Sequence, residues 1–292
     1  MVSDAERRAL FGLAQICWRP GSTIIDAGAF LGASTKIFCE ALALSDAARG
    51  AIYSYEYGVF NDYNAQVAAK LTGRPFAAGD GFGDFLQSLI DDRRGSVRHH
   101  IGDIRDYPYD GGPVSIAFFD ILKSASLTDF VYSNFFPKFD TDTLLYQQDY
   151  FHPGHPWIAC SMAKYADAFA YVGQPEPERG AFNSAVFVVR ESTRIPKRVD
   201  EFQFMPRDEA LRLLDAAIDM HADPVERLCV IGQRAAAEAA FDGDEASAAE
   251  SFRRLLADHG LAALGEDRGQ RHHVNRILNA IKNFASKAMA WG

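Results

Sequence analysis

The chain has little of what secreted, membrane-bound or nucleic-acid-binding proteins depend on. Its 292 residues include four cysteines. Cys17, Cys39, Cys160 and Cys229 are far apart and form no C-x-x-C pair. That pattern excludes a disulfide scaffold and reads as reduced core thiols in a cytoplasmic protein. No apolar run approaches membrane-spanning length. The N-terminal stretch MVSDAERRALFGLAQ mixes acid with base and lacks the apolar core of a signal peptide. Positive charge is also short, with 30 Lys and Arg against 39 Asp and Glu and a net charge of −9. Nucleic acid and anionic membranes are therefore poor partners on electrostatic grounds. The most basic stretch, Arg93–His100 (RRGSVRHH), reads as a solvated loop. There is no G-x-G-x-x-G turn after a strand. A 48% hydrophobic content remains, ample for a buried core.

Hydrophobic patterning divides the chain in two. Ser3–Trp18 has apolar residues at helical spacing, with Ser3 or Asp4 placed to cap it. Strand-like runs follow at Thr23–Asp26, Ala51–Tyr55, His99–Ile101, Val114–Asp120 and Thr143–Gln147. Helical runs alternate with them at Ala33–Leu44, Asn61–Leu71, Phe82–Asp91 and Leu127–Phe135. Alternation of this kind predicts βαβ crossovers and a parallel sheet. Phe169–Val172 and Ser184–Arg190 are joined by a turn-rich stretch (GQPEPERGAFN) without a helix, so they should pair antiparallel. The expected fold is α/β: a doubly wound, mostly parallel seven-stranded sheet ending in an antiparallel hairpin, with a C-terminal helical extension. The expected domains are residues 1–200 and 201–292. Within the second, Asp223–Gly260 reads as two helices around the turn FDGD, like a single tetratricopeptide-type hairpin. Val274–Trp291 reads as an amphipathic, basic helix. These helices are expected to pack on the core or on a second copy of the chain, which leaves a homo-oligomer open.

The most informative segment is Thr23–Gly32, TIIDAGAFLG, followed by the helical ASTKIFCEALAL. A strand, a glycine turn and a helix start bring backbone N–H groups to a ligand, with the Asp26 carboxylate at the strand's end. The spacing D-x-G-x-x-x-G has an acid where a dinucleotide fingerprint needs its first glycine. It resembles the first motif of class I S-adenosylmethionine-dependent methyltransferases. The resemblance implies a Rossmann-like domain across roughly Gly21–Arg190, with S-adenosylmethionine as cofactor. It assigns Asp26, Gly28 and Gly32 to the cofactor turn and Glu56, in YSYEYG, to the ribose hydroxyls, with Asp62 as the fallback. Asp103 in HHIGDI falls to the adenine amino group, and Ile104 to packing on the base. One acid per successive strand end, all at the C-terminal edge of the sheet, is where open α/β sheets bind ligands.

The next strand ends give IAFFDILKS and LLYQQDYFHPGHPW. Asp120 and Lys123 follow the fourth strand; Gln148, Asp149, His152 and His155 follow the fifth. The arrangement is similar to that of cation-dependent catechol-type and macrocin-type sugar O-methyltransferases. That likeness implies a divalent cation, Mg²⁺, on Asp120, Gln148 and Asp149, which would lower the pKa of an acceptor hydroxyl. Gln148 and Ile121 stand where the pattern has acids, so such a site would bind the ion weakly. In the metal-free version His152 or Lys123 takes the proton directly. The catalytic set is thus His152, Lys123, Asp120 and Asp149. The expected activity is O-methylation of a hydroxyl on a sugar or small natural product. A nicotinamide-dependent oxidoreductase and a non-catalytic, methyltransferase-like scaffold are the alternatives.

Overall fold

The computed structural model describes residues 2–90, 92, 95–175, 183–199, 202–267 and 269–287. The first two residues of RRGSVRHH, most of the turn-rich stretch 173–183 and the end of the expected 274–291 helix lie outside them. Two compact units make up the chain. One comprises Met1–Ile121, Lys138–Tyr146 and Pro175–Ala181; the other comprises Leu122–Pro137, Gln147–Gln174 and Phe182–Gly292.

The sheet has seven strands: β1 (Thr23–Ala27), β2 (Ile52–Glu56), β3 (Val97–Ile101), β4 (Val114–Phe119), β5 (Phe139–Gln147), β6 (Phe169–Gly173) and β7 (Ala185–Val189). Their order is β3-β2-β1-β4-β5-β7-β6. The pairs β1–β2, β1–β4 and β2–β3 are parallel, and β6–β7 is antiparallel. The expected mostly parallel sheet with an antiparallel end is therefore present. Every residue of β1 and of β4 is buried. Their unbroken apolar runs suit interior strands covered on both faces.

In the first unit, α1 (Asp4–Cys17) opens with a capping box. Ser3 Oγ accepts from the Glu6 N–H, and the Glu6 carboxylate accepts from the Ser3 N–H. Next come α2 (Ala33–Ala41), α3 (Asp62–Thr72) and α4 (Gly83–Leu89). Register sets the rim. Ala27 lies beside Tyr55 and Phe119, and Glu56 beside Ile101, so β1, β2, β3 and β4 end together.

The second unit holds α5 (Ala125–Phe135), α6 (Pro156–Lys164), the β6–β7 hairpin and the C-terminal helices. These are α7 (Arg207–Asp219), α8 (Pro224–Asp242), α9 (Glu245–Asp258), α10 (Ala262–Glu266) and α11 (Arg271–Lys287). The FDGD turn behaves as its composition predicts: Gly243 takes the left-handed conformation that ends α8, and Asp244 caps α9. Helix α7 packs on α6 and α8, and α11 on α8 and α9. The apolar stripe of α11 (Ile277, Ala280, Ile281, Phe284) is buried inside its own unit. Among the described residues no helix is long and apolar enough to cross a membrane, and all four cysteines are free thiols.

Two of the differences from expectation have plain physical reasons. β5 begins at Phe139 rather than Thr143, because the polar residues Asp140–Asp142 continue the strand while remaining exposed. Helix α6 was not expected: HPGHPW has the prolines of a loop, but Pro156 occupies the first helical turn, where a missing N–H costs nothing.

Gly28 has φ +97°, and a Cβ there would lie 2.8 Å from the Asp120 carbonyl oxygen and 2.9 Å from Ile121 Cγ2. Gly28→Ala must therefore both strain the backbone and push β4 away. We expect a loss of at least about 2 kcal/mol in denaturant unfolding; a loss below 0.5 kcal/mol, roughly the scale of a neutral surface change, would contradict this packing.

Candidate functional site

In the first unit the glycine turn is built around Asp26. Its carboxylate has no exposed surface. It accepts from Ser34 Oγ (2.8 Å) and from Thr35 Oγ1, both in the first turn of α2. Burial pushes its pKa up to about 7; the two hydroxyls pull it down without offsetting that, and Glu56 and Asp120 push it further up. Asp26 thus holds the start of α2 against the end of β1, acting on the turn rather than on solvent. Gly32 (φ +81°) begins the helix, and a Cβ there would press on Ile90 and Leu86.

Phe30, between the glycines, has φ +48°, a costly conformation for an aromatic residue. Its ring is held edge-on against Phe60 and Phe82, and its N–H donates to Glu56 Oε2 at 2.6 Å. Glu56 Oε1 accepts from the Gly58 N–H at 3.3 Å. Burial raises the Glu56 pKa; backbone N–H groups lower it, and Asp120 raises it again. Three of the expected acids, Asp26, Glu56 and Asp120, therefore feel one another's charge at the ends of three adjacent strands. Phe30 was not anticipated; nothing in a phenylalanine announces a left-handed backbone.

Asp103 does not join this group. It caps a short 3₁₀ turn, accepts from the Arg105 N–H and pairs with the Arg105 guanidinium. Its side chain is 37% exposed. Ile104 beside it is buried. Asp62, the fallback for Glu56, is the exposed first residue of α3.

The second unit carries a separate cluster. Asp149, just past β5, pairs with the Lys123 ammonium, and His155 Nδ1 lies 3.6 Å from the same carboxylate oxygen. Burial pushes the Asp149 pKa up, but Lys123 and the imidazoles outweigh it, and the group is held below its ordinary value. His152 and His155 stack at 4.6 Å. Burial, against the pull of Asp149, lowers His152 to about 4 and His155 to about 3. Both rings are neutral near pH 7. His152 Nδ1 accepts from the Gly154 N–H at 3.0 Å. In the neutral ring its proton then sits on Nε2, which becomes a donor. His155 stands at the residue before α6 without a side-chain capping bond, and its Nδ1 is buried with no hydrogen-bond partner. A proton on that Nδ1 faces Asp149 and leaves Nε2 as an acceptor. The two rings thus differ at Nε2, a donor in His152 and an acceptor in His155.

The expected metal site does not fit these residues. Asp149 already has a resident cation in Lys123. Gln148 is 6% exposed. Among the described residues no group of three or more His, Cys, Asp or Glu side chains could hold a metal ion.

The fold can now be set beside known proteins. No family model matches the chain, and no curated protein matches its sequence. Among solved structures, cofactor-bound Rv0187 from MTB is 16% identical, with 65% of this chain and 82% of that one covered and a TM-score of 0.43. The calicheamicin methyltransferase CalS11 is 16% identical over 64% of this chain and 80% of its own, with a TM-score of 0.45. Apo CalS11, described as a TDP-rhamnose 3'-O-methyltransferase, is 18% identical over 64% and 81%, also with a TM-score of 0.45. The strand order and the antiparallel β6–β7 pair decide the architecture. The chain has a doubly wound, Rossmann-like α/β fold closed by an antiparallel strand pair.

A buried acid with a raised pKa keeps its proton in the folded chain after the unfolded chain has lost it. Folding then takes up a proton between pH 3.8 and about 7, so the Asp26 contribution to stability falls as pH rises through that window. Relative to Asp26→Asn, the wild-type unfolding free energy should decline across this range and level off above it. A difference that stays flat with pH would show that Asp26 ionises normally.

Proposed function

We propose that the protein is an S-adenosylmethionine-dependent methyltransferase that methylates a hydroxyl on a sugar or small natural product. The observation that carries this reading is the mutual coupling of Asp26, Glu56 and Asp120 around a strained glycine turn. Burial, and then the charge of Asp120, raise both Asp26 and Glu56; acids gathered in this way favour a ligand that brings positive charge, and a nucleoside with an amino-acid tail and a sulfonium does so. Glu56 suits a ribose hydroxyl: the Phe30, Tyr57 and Gly58 N–H groups hold the carboxylate from the backbone, and its remaining acceptor capacity is available to the sugar. Asp26 sets the turn from beneath. When bound, the cofactor supplies a methyl carbon activated by its positive sulfur.

In the second unit, we assign proton removal to His155. The Asp149 carboxylate, 3.6 Å from Nδ1, favours a proton on that nitrogen by charge, and the acceptor hydroxyl gives its proton to Nε2. Lys123, paired with Asp149, helps hold that carboxylate below its ordinary pKa. It is a positioning cation here and not the base. No metal is needed in this scheme.

Thermal shift and calorimetry test the cofactor. S-adenosylhomocysteine should stabilise the protein and NAD should not. Glu56→Ala should weaken S-adenosylhomocysteine binding by about ten- to hundredfold, the equivalent of losing charged hydrogen bonds worth roughly 1.5–3 kcal/mol. Unchanged affinity in that variant would refute the ribose assignment.

The base is tested by turnover on an acceptor found with labelled methyl donor and a panel of hydroxylated glycans and phenols. His155→Ala should lower the rate by about 10²- to 10⁴-fold and His152→Ala by less than about tenfold. Because burial holds the His155 pKa near 3, the wild-type rate should stay level from pH 7 down to about pH 5. A rate that climbs steeply above neutral pH would point to Lys123 instead.

A further inference from the structure

The loop after β5 is fixed by residues from the C-terminal helices, and the fixing points fall on three consecutive residues. Gln233, in α8, donates from Nε2 to the carbonyl oxygens of both Tyr150 and His152. The Phe151 N–H donates to the Asn183 carbonyl oxygen at 2.9 Å, and Asn183 Oδ1 accepts from the Arg276 guanidinium of α11 at 3.0 Å. The Tyr150 hydroxyl meets His221 Nε2 at 3.0 Å, and His221 Nδ1 meets Glu226 Oε2 at 3.0 Å. Tyr171 and Gln174 also donate to the other Glu226 oxygen. The bonds thus converge on one carboxylate and link it through His221 to Tyr150.

Gln233 is the informative member. It is fully buried, and its Oε1 has no hydrogen-bond partner. Burying an amide with one end unsatisfied destabilises the fold, and an apolar side chain of similar size would avoid that. What the amide provides is its two bonds to the loop. We propose that Gln233 is a positioning residue: its side-chain amide clamps the backbone of residues 150–152 and so sets where Asp149, His152 and His155 stand. As a statement about catalysis this rests on the methyltransferase reading; as a statement about the loop it does not.

Histidine-labelled protein tests the clamp without an acceptor substrate. In long-range ¹H–¹⁵N spectra the wild-type His152 ring should show its proton on Nε2, with Nδ1 accepting from Gly154. Gln233→Met, close in volume and without donors, should shift His152 toward a mixture of tautomers and move the His155 signals. S-adenosylhomocysteine affinity in that variant should stay within about twofold of wild type. Phe252→Ala, in α9, serves as a control: it should lower stability yet leave both imidazoles in place. Wild-type ring signals in Gln233→Met, or equal disturbance in Phe252→Ala, would overturn the proposal. Should Gln233→Met not fold, the wild-type chain still decides it, because clamped Gln233 side-chain amide protons must exchange slowly, and exchange at solvent rates rules the clamp out. A wild-type protein that binds no S-adenosylhomocysteine but shows the tautomer shift in Gln233→Met would support the clamp and remove the methyltransferase reading.

Discussion

A carboxylate sealed from water organises the first half of this chain. Asp26 has two hydroxyl donors and no cation, so the desolvation of its charge is only partly offset and its pKa rises to about 7. Its geometry is what the fold uses. With Ser34 and Thr35 tied to the end of β1, the chain must reverse within Ala27–Gly32. That reversal requires a glycine at position 28, where β4 passes within contact of any side chain. It also forces Phe30 into a left-handed conformation, with its ring packed edge-on against Phe60 and Phe82. The Phe30 N–H is thereby aimed at Glu56, and the acid expected to bind ribose is itself oriented by the turn.

Asp149 answers the same problem in the opposite way. It too is largely withdrawn from solvent, but Lys123 lies against it and the neighbouring imidazoles add to the pull, so its pKa moves down. The two acids differ in neighbours more than in burial, and their protonation preferences diverge accordingly. An acid sealed from solvent and held by two hydroxyls suits the bracing of a turn. A firmly ionised one suits the orientation of a histidine. The same contrast weakens the metal reading, since the charge a divalent cation would answer at Asp149 is already met.

Much of the sheet was legible because interior parallel strands are apolar throughout and glycine turns punctuate them. TIIDAG and VSIAFFD show their ends plainly, and the helix-free link before SAVFVVR revealed the antiparallel pair. The site was less legible. The spacing located Asp26, Glu56 and Asp120 at one edge, yet it could not separate an acid that faces a ligand from one that braces a helix. Asp103 looks equivalent in sequence, but Arg105, two residues on, engages it locally. His152 and His155 look alike too. Which nitrogen each ring leaves open follows from one backbone N–H, that of Gly154, and from a helix start disguised by proline.

The C-terminal helices show why such distinctions escape a linear reading. Patterning identified them as amphipathic and left their role as packing. Most of their buried residues are indeed apolar, and these account for the contacts among α6, α7, α8, α9 and α11. The polar residues they bury, Gln233, His221 and Glu226, break that pattern, and a core that needed only stability would replace them with hydrocarbon. Their hydrogen bonds run to Tyr150, His152 and Tyr171, up to 83 residues earlier in the chain. Buried polar groups of this kind specify a geometry, and here the geometry they specify is that of the loop bearing Asp149 and the two histidines.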